Sequence, residues 1–403
     1  MFVFKLLPEE VDKWTIKLKL MITRFILSLL LSNSLLISRS HAQELRTKWT
    51  FDTGDKITAS PVTDNGSLFI GAENGVFYSI DATTSQEKWR YSTNGFIMAQ
   101  GTVHNDLVFF SSSNVYYALN KETGELVWKH DLGWPIWGYK IDHWDDIQPN
   151  AIVHEDVFYI GTSLGTLIGL SANDGKKVFE LSIGIDAPIR SRPIIHEGSI
   201  YFGDWKGRVF CYDLGSESVV WQSNTYQKRF YDTFGGIASE MLIDDGKLYF
   251  GARNPQLTVL NIEDGQPAWV VNENDSTGGW IIGAPVIEDD LLYMGNSDSH
   301  ELHVFQASTG EKVWDFDSKL NIYTKPVLTD EYVVLTAGDA YWYFNQDEQQ
   351  SPSGGLFVIN KSDGTLMAQL EMDEPCFSSP IIDGNVIYFG SYDGNVYAVE
   401  LLE

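Results

Sequence analysis

The chain has 403 residues, of which 43% are hydrophobic and 13% aromatic, so it can supply a large apolar core. Its net charge of −27 excludes nucleic acid as an expected partner, because phosphates are bound by clusters of lysine and arginine. The same balance disfavours docking on anionic lipid, and the acidity is best interpreted as an aid to solubility.

The first 42 residues are predicted to be an N-terminal extension with a secretory signal peptide. An apolar run at 25–37 follows basic residues and precedes small residues near Ala42, the expected cleavage site. Met21 is an alternative start. The run is shorter than the ~20 apolar residues of a spanning helix. We therefore expect a periplasmic or secreted protein with no transmembrane helix, and no lipid anchor because no cysteine lies near the cleavage point.

A short phrase recurs along the rest of the chain, residues 43–403. NKETGELVW at 120–128 returns as QASTGEKVW at 306–314, with weaker copies elsewhere. The phrase ends in an aromatic residue at a period of about 40–50 residues, which is typical of propellers and helical arrays. The aromatic positions are Trp49, Trp89, Trp128, Phe179, Trp221, Trp269 and Trp314.

Each repeat contains four short apolar runs that predict β-strands rather than helices. Val115, Tyr117 and Leu119 alternate with other apolar residues, so both sheet faces are apolar, as in a sheet packed between two neighbours. Gly124 is expected to take the positive φ that closes the last hairpin. Trp128 is well placed to pack against the next sheet. In this unit the runs lie at 101–103, 107–110, 115–120 and 126–130.

The repeats predict a closed ring. Eight first strands can be counted, and the last unit, at 386–403, stops before its outer strand. The missing strand is available at 47–54, and propellers close by such an exchange of terminal strands, which removes free sheet edges. We therefore predict an all-β, eight-bladed propeller of four-stranded antiparallel blades over residues 43–403.

The repeat at 60–89, SPV…LFIGAENGVFYSIDATTSQEKW, resembles the pyrroloquinoline quinone (PQQ) repeat family, and its copies extend the resemblance over the whole mature chain. That family includes quinone-dependent alcohol dehydrogenases, non-enzymatic modules and the lipoprotein that assists outer-membrane β-barrel assembly. The chain is similar to this lipoprotein in size and layout, although it lacks the lipidation cysteine.

The resemblance to quinone enzymes implies a cofactor held between a tryptophan and a disulfide of adjacent cysteines, with Ca²⁺ beside it. This chain has only Cys211 and Cys376, which lie in different repeats and are expected to be unpaired, buried thiols. We therefore expect no cofactor, no metal and no catalytic residues. PQQ and calcium are expected only under the alternative hypothesis, in which the chain is a PQQ-dependent dehydrogenase.

The long connections are predicted to gather on one face. Because strand direction alternates, the blade-to-blade connections and the loops between second and third strands share a face. The long segments at 131–150, 222–239, 272–280 and 337–355 all belong to it, whereas the opposite turns are short. Insertions concentrated on one face of a repeat fold usually mark the binding face.

Large aromatic and basic side chains of this face are the candidate binding residues, because they offer contact surface at low entropic cost. Two of the arginines, at 190 and 192, are expected to approach the central channel. The candidates are Trp134, Trp137, Trp144, Arg190, Arg192, Trp205, Arg229, Tyr231, Trp280 and Trp342.

The expected role is a non-enzymatic binding or scaffold propeller in outer-membrane or envelope protein assembly. Its partner would be an envelope protein or an extended peptide added along a strand edge. A glycan stacked on the tryptophan and tyrosine side chains is the alternative ligand. A third hypothesis is that the protein is an enzyme that acts on polysaccharides. The protein is expected to be a monomer.

Overall fold

The computed structural model describes residues 44–133, 150–184, 187–225, 236–253, 256–272, 283–340 and 352–402. These residues form 32 strands in eight four-stranded sheets, each of them antiparallel. They contain no helix, and therefore no helix that could cross a bilayer. The predicted eight-bladed, all-β propeller is confirmed.

Blades 1 to 4 use their strands in chain order, from the first strand at the axis to the fourth at the outer edge. Their bounds are β2 (Val62–Asp64), β3 (Ser67–Gly71), β4 (Val76–Asp81) and β5 (Glu87–Ser92); β6 (Thr102–His104), β7 (Leu107–Ser112), β8 (Val115–Asn120) and β9 (Leu126–Asp131); β10 (Ile152–His154), β11 (Val157–Gly161), β12 (Thr166–Ser171) and β13 (Lys177–Ser182); β14 (Ile194–His196), β15 (Ser199–Gly203), β16 (Arg208–Asp213) and β17 (Ser218–Asn224). The first strands of neighbouring blades contact one another around the axis, as β2 and β6 do.

Blades 5 to 7 repeat this order, and blade 8 takes its fourth strand from the start of the propeller. Their bounds are β18 (Ile237–Asp244), β19 (Lys247–Ala252), β20 (Gln256–Asn261) and β21 (Pro267–Asn272); β22 (Val286–Glu288), β23 (Leu291–Gly295), β24 (Glu301–Gln306) and β25 (Lys312–Asp317); β26 (Val327–Leu328), β27 (Tyr332–Gly338), β28 (Gly354–Asn360) and β29 (Leu366–Met372); β30 (Ile381–Asp383), β31 (Val386–Gly390), β32 (Asn395–Leu402) and β1 (Glu44–Asp52).

The ring is closed by β1, which pairs antiparallel with β32 along its length. The register runs from Glu44 opposite Leu402 to Asp52 opposite Asn395. Blade 8 is thus completed by the segment around Trp49, and the predicted exchange of terminal strands is confirmed. No blade of the ring is left with three strands.

Eight clusters of the core lie between the blades, one between each pair of neighbours. In blade 2, Tyr117 and Leu119 pack toward blade 1, whereas Tyr116 and Ala118 pack toward blade 3. The alternation in the sequence predicted this division. Each blade is therefore covered on both faces, and its stability depends on both neighbours.

The propeller has two distinct rims. We call the rim with the blade-to-blade connections and the loops between second and third strands the loop face. We call the rim with the remaining two hairpins of each blade the short-turn face. Strands β9, β17, β21 and β27, which precede the four long connections, all run toward the loop face, because strand direction alternates within each blade. This agrees with the predicted gathering of those connections.

The repeated phrase has two structural roles. The indole N–H of Trp89 donates to the carbonyl of Lys121 in the next blade at 3.0 Å, and Trp128 donates likewise to Ala172 at 2.7 Å. Gly124 has a φ of 72°, and a Cβ added to it would lie 2.6 Å from the Trp89 ring. The sequence predicted the turn and the packing of Trp128, but not that glycine is also required by close contact with the preceding blade.

We expect Gly124→Ala to destabilise the protein more than Gly66→Ala does. Both glycines have positive φ, but nothing lies within 4 Å of a Cβ at residue 66. Gly66→Ala, the control, should therefore lower the free energy of unfolding only through the backbone strain of alanine at positive φ, by about 1 kcal/mol. Gly124→Ala should cost about 1–3 kcal/mol more, because the methyl group overpacks the Trp89 contact. Urea denaturation midpoints measure the difference, and equal midpoints would contradict the second role of Gly124.

Candidate functional site

The connection into blade 4 is held at two buried points. Ile189 is fully buried in the core between blades 3 and 4. Ser191 accepts a hydrogen bond from the Gly203 N–H at 2.9 Å and donates to the Gly203 carbonyl at 3.0 Å. Because Ile189 and Ser191 are fixed, the side chains of Arg190 and Arg192 leave the connection in defined directions. The two arginines contact different residues.

Arg190 and Trp205, both predicted site residues, are brought together on the loop face. The guanidinium carbon of Arg190 lies 4.5 Å from the centroid of the Trp205 ring, and that of Arg253 lies 5.1 Å from it. All three side chains are more than nine-tenths buried. Desolvated contacts of this kind contribute about 2 kcal/mol each. Arg253 was not predicted, although it occupies the second-to-third-strand loop of blade 5, as Trp205 does in blade 4.

Aromatic side chains continue from Trp205 around the loop face. Trp205 packs with Tyr323, whose ring centroid lies 5.4 Å from that of Phe377, and Phe377 lies 5.1 Å from Tyr392. The last two contacts are edge-to-face, the favoured aromatic geometry. We call Trp205, Tyr323, Phe377 and Tyr392 the aromatic ladder. Its last three members are partly exposed and therefore form part of the loop-face surface.

Arg192 lies at the axis and not beside Trp205. The Glu240 carboxylate accepts hydrogen bonds from Lys325 Nζ at 2.9 Å and Asn150 Nδ2 at 3.1 Å, and it forms an ion pair with Arg192 at 3.4 Å. We call these four residues the axial carboxylate cluster. They come from blades 3, 4, 5 and 7. Glu240 lies within the first strand of its blade, and the other three each lie two residues before theirs, so the cluster joins non-adjacent blades near the axis.

Glu240 is ionised at neutral pH. Burial alone would raise the pKa of its carboxyl group, but Arg192 and Lys325 outweigh burial and lower this pKa to about 2. The side chain of Glu240 is only 14% exposed. The cluster thus combines two cations with one anion, and its role on this geometry is to tie the blades together at the axis.

Seven of the ten predicted site residues lie outside the described residues. Their role in binding therefore stays a prediction. Of the other three, Arg190 and Trp205 contact each other, and Arg192 belongs to the axial carboxylate cluster. The seven are Trp134, Trp137, Trp144, Arg229, Tyr231, Trp280 and Trp342.

The described residues do not include the pair of adjacent cysteines that the resemblance to quinone enzymes implies. Cys211 and Cys376 are unpaired and buried, as predicted, and they belong to different blades, so no disulfide of adjacent cysteines can form. Burial raises the pKa of the Cys376 thiol to about 12, which keeps it protonated. Within the described ranges, no three histidine, cysteine or acidic side chains are grouped so as to hold a metal ion.

The fold and its repeats define an eight-bladed propeller of the PQQ-repeat type. Residues 42–271 and 271–350 match the model of a family described as outer membrane protein assembly factor BamB. The chain belongs to this family, and the resemblance drawn from its repeats is confirmed.

The chain is similar to assembly factors in sequence, and to an assembly factor and a dehydrogenase in fold. The outer membrane protein assembly factor BamB of Yersinia pestis is 25% identical over 84% of this chain and 83% of its own length. Among solved structures, BamB from Moraxella catarrhalis has a TM-score of 0.69 at 16% identity, covering 89% of this chain and all of that one. A europium-containing methanol dehydrogenase has a TM-score of 0.68 at 12% identity, covering 89% and 93%. The structural likenesses show the shared fold alone.

Proposed function

We propose that the chain is a non-enzymatic scaffold propeller of outer-membrane protein assembly. The observation that carries this proposal is the match to the assembly-factor family over residues 42–350. The loop face supports it, because arginine and aromatic side chains from several blades are collected there. The predicted signal peptide at 1–42 supports a periplasmic location.

The partner that best suits the loop face is an extended segment of another envelope protein. The aromatic ladder offers apolar edges to partner side chains, and tryptophan, tyrosine and arginine are the residues that most often dominate protein interfaces. The Arg190–Trp205–Arg253 contact holds one end of the ladder rigid. Rigid contact residues lose little conformational entropy on binding.

A capture experiment with envelope extract tests the scaffold role. Wild-type protein should enrich outer-membrane assembly or barrel proteins, and Arg190→Ala should reduce their recovery about tenfold or more, because Trp205 loses its packing partner. Arg90→Ala is the matched control, since Arg90 also contacts an aromatic ring, that of Tyr78, but on the outer strand β5. Melting curves of both variants verify folding.

Two outcomes of the capture experiment would contradict the proposal. If wild-type protein enriches no envelope protein, the scaffold role is wrong. If wild type, Arg190→Ala and Arg90→Ala recover the same partners equally, the loop face is not the binding surface. We propose no cofactor, and dye-linked alcohol oxidation after titration with PQQ and Ca²⁺ would contradict this. Binding on a glycan array would support the glycan alternative instead.

A further inference from the structure

The outermost strand of each blade is an edge strand. Among the described residues, β17 of blade 4 is hydrogen-bonded in its sheet to β16 alone, and β21 of blade 5 to β20 alone. The other side of such a strand presents backbone N–H and C=O groups with which a further extended chain can pair. The propeller therefore has eight outer edges, and their side chains decide which of them can accept a strand.

A bulge divides every outermost strand into two halves. In the pairing with the third strand, the extra residue is Val220 in β17 and Ala268 in β21, and the other six blades have a bulge at the equivalent place. A bulge interrupts regular pairing and so hinders strand addition along the half that contains it. The half after the bulge is regular. It comprises residues 221–224 in blade 4 and 269–272 in blade 5.

Charged side chains occupy the regular half of six outermost strands, whereas β17 and β21 carry no charge along their whole length. A charge on an edge strand opposes pairing with another chain, and natural sheets use it to protect their edges. Blades 4 and 5, which are neighbours in the ring, lack this protection. The charged residues of the other six are all exposed: Asp52, Arg90, Lys129, Asp131, Glu180, Asp315, Asp317 and Glu371.

Exposed valines lie along both uncharged strands. Val219 and Val220 are 47% and 56% exposed in β17, and Val270 is 42% exposed in β21. Valine suits extended chains and offers apolar contact to a cross-strand neighbour. Other outermost strands expose valines too, such as Val178 in β13, but beside a charge. Blades 4 and 5 are distinguished by apolar exposure without charge.

Both edges are held in place by the following blade. The indole N–H of Trp221 donates to the Ile262 carbonyl of blade 5 at 2.8 Å, and that of Trp269 donates to the Ala307 carbonyl of blade 6 at 2.9 Å. These tryptophans begin the two regular halves. An edge that is already fixed in the extended conformation loses little entropy when a strand is added to it.

We propose that the regular halves of β17 and β21, which we call the uncharged edges, bind an unfolded strand of a membrane β-barrel protein by adding it to the blade. The strands of such barrels are about ten residues long and alternate apolar with polar side chains. One can place an apolar row beside Val270 and pair its backbone without bringing a charge to the edge. This inference rests on the proposed function, because it names the class of protein that the scaffold binds, but it uses a surface other than the loop face.

The charges next to the uncharged edges define the ends of the strand that fits. Glu217 directly precedes β17, and Glu263 and Asp264 lie shortly before β21. All three carboxylates are exposed at the short-turn face, where they attract lysine or arginine. The expected segment is therefore uncharged along its length and carries a basic residue at the end that lies at the short-turn face.

Hydrogen exchange of the full-length protein with a synthetic peptide tests the inference. The peptide has ten alternating apolar and polar residues and one terminal lysine. At ten times its Kd it should slow exchange of the outward-facing amides in 218–224 and 267–272 about tenfold, because exchange then requires release of the peptide. The same peptide with a central proline should slow exchange far less, since proline cannot donate a ladder hydrogen bond.

One added charge should protect each uncharged edge. Gln222→Lys and Val270→Lys should each lower the affinity of their own edge about fivefold or more, the scale of one unfavourable cross-strand pair. At the same peptide concentration, exchange there should then slow only about threefold or less. Gln369→Lys is the matched control, because Gln369 lies opposite Phe357 in β29 as Gln222 lies opposite Phe210 in β17. Blade 7 already carries Glu371, so this control should respond as the wild type does. Melting curves verify the folding of all three variants.

Three results would contradict the inference. They are unchanged exchange in the wild type, equal slowing by the proline peptide, and slowing without peptide that grows with protein concentration, which would mean that the edges pair with a second copy. The capture experiment is independent of this one. Capture of envelope proteins without any change in exchange would make only the uncharged edges wrong. Slowed exchange without capture would instead contradict the scaffold role and leave strand addition in place.

Discussion

A chain that begins at Thr53 is expected to lose cooperative thermal unfolding, because it lacks β1, the fourth strand of blade 8. Without this strand, β32 becomes an open edge and the core between blades 8 and 1 loses Trp49 and Phe51. Removal of a large aromatic side chain from a core alone costs about 3–5 kcal/mol. Calorimetry and circular dichroism measure the loss, and a synthetic peptide of residues 44–52, added in trans, should restore a cooperative transition.

The matched control is a chain that begins at Glu44 and so retains β1. It should melt as the propeller of the full chain does. A single substitution gives a graded test: Trp49→Ala removes a ring 5.8 Å from that of Tyr388 and an indole hydrogen bond of 3.1 Å to the Ala82 carbonyl. If the chain lacking β1 melts like the control, terminal strand exchange does not hold the ring closed.

Glu240→Ala is expected to destabilise the protein by about 2–4 kcal/mol, because Arg192 and Lys325 are left facing each other without their shared carboxylate. This is somewhat below the 3–5 kcal/mol of a fully buried pair, since Lys325 keeps access to solvent. Glu180→Ala is the control, as Glu180 pairs with Lys177 on the exposed outer strand β13. That change should cost less than about 1 kcal/mol. Equal losses in urea denaturation would contradict a special role for the axial cluster.

The contribution of Glu240 should also depend on pH in a defined direction. The pKa of its carboxyl group is about 2 in the folded protein, against an ordinary value of 4.5. A depressed pKa adds stability that is complete above the ordinary value and is lost as the pH falls through the folded value. The stability difference between wild type and Glu240→Gln should therefore be constant above pH 4.5 and shrink between pH 4.5 and 2. A difference that does not change over this window would rule out the ionised cluster.

The architecture could be predicted from the sequence because each of its signals is local and repeated. The turn glycine of each phrase, the aromatic residue after it and the spare strand at 47–54 all follow from propensity and period. Partners that are far apart in the chain lack such a signal. Nothing in EMLI at 240–243 distinguishes Glu240 from a residue that opens any strand. Only the ring brings it to Asn150 and Lys325, which lie 90 and 85 positions away.

The candidate site was predicted only in part, because long insertions were taken as the sign of binding. Arg190 and Trp205 lie outside the long insertions and were predicted from their position on the loop face and their chemistry. Tyr323 and Phe377, which also lie outside the long insertions, were overlooked. Comparison of equivalent positions across the repeats is the signal that could have found the rest. Asn150, Arg192 and Lys325 occupy equivalent positions, each two residues before the first strand of its blade.

The pairing of β1 with β32 also fixes the direction in which β1 crosses the propeller. Glu44 lies opposite Leu402, at the short-turn face, and β1 runs from there toward the loop face. Glu44 therefore lies on the side of the propeller opposite to Arg190 and the aromatic ladder. A partner bound to the arginine and aromatic rim would meet the Asp52 end of β1 and not the Glu44 end.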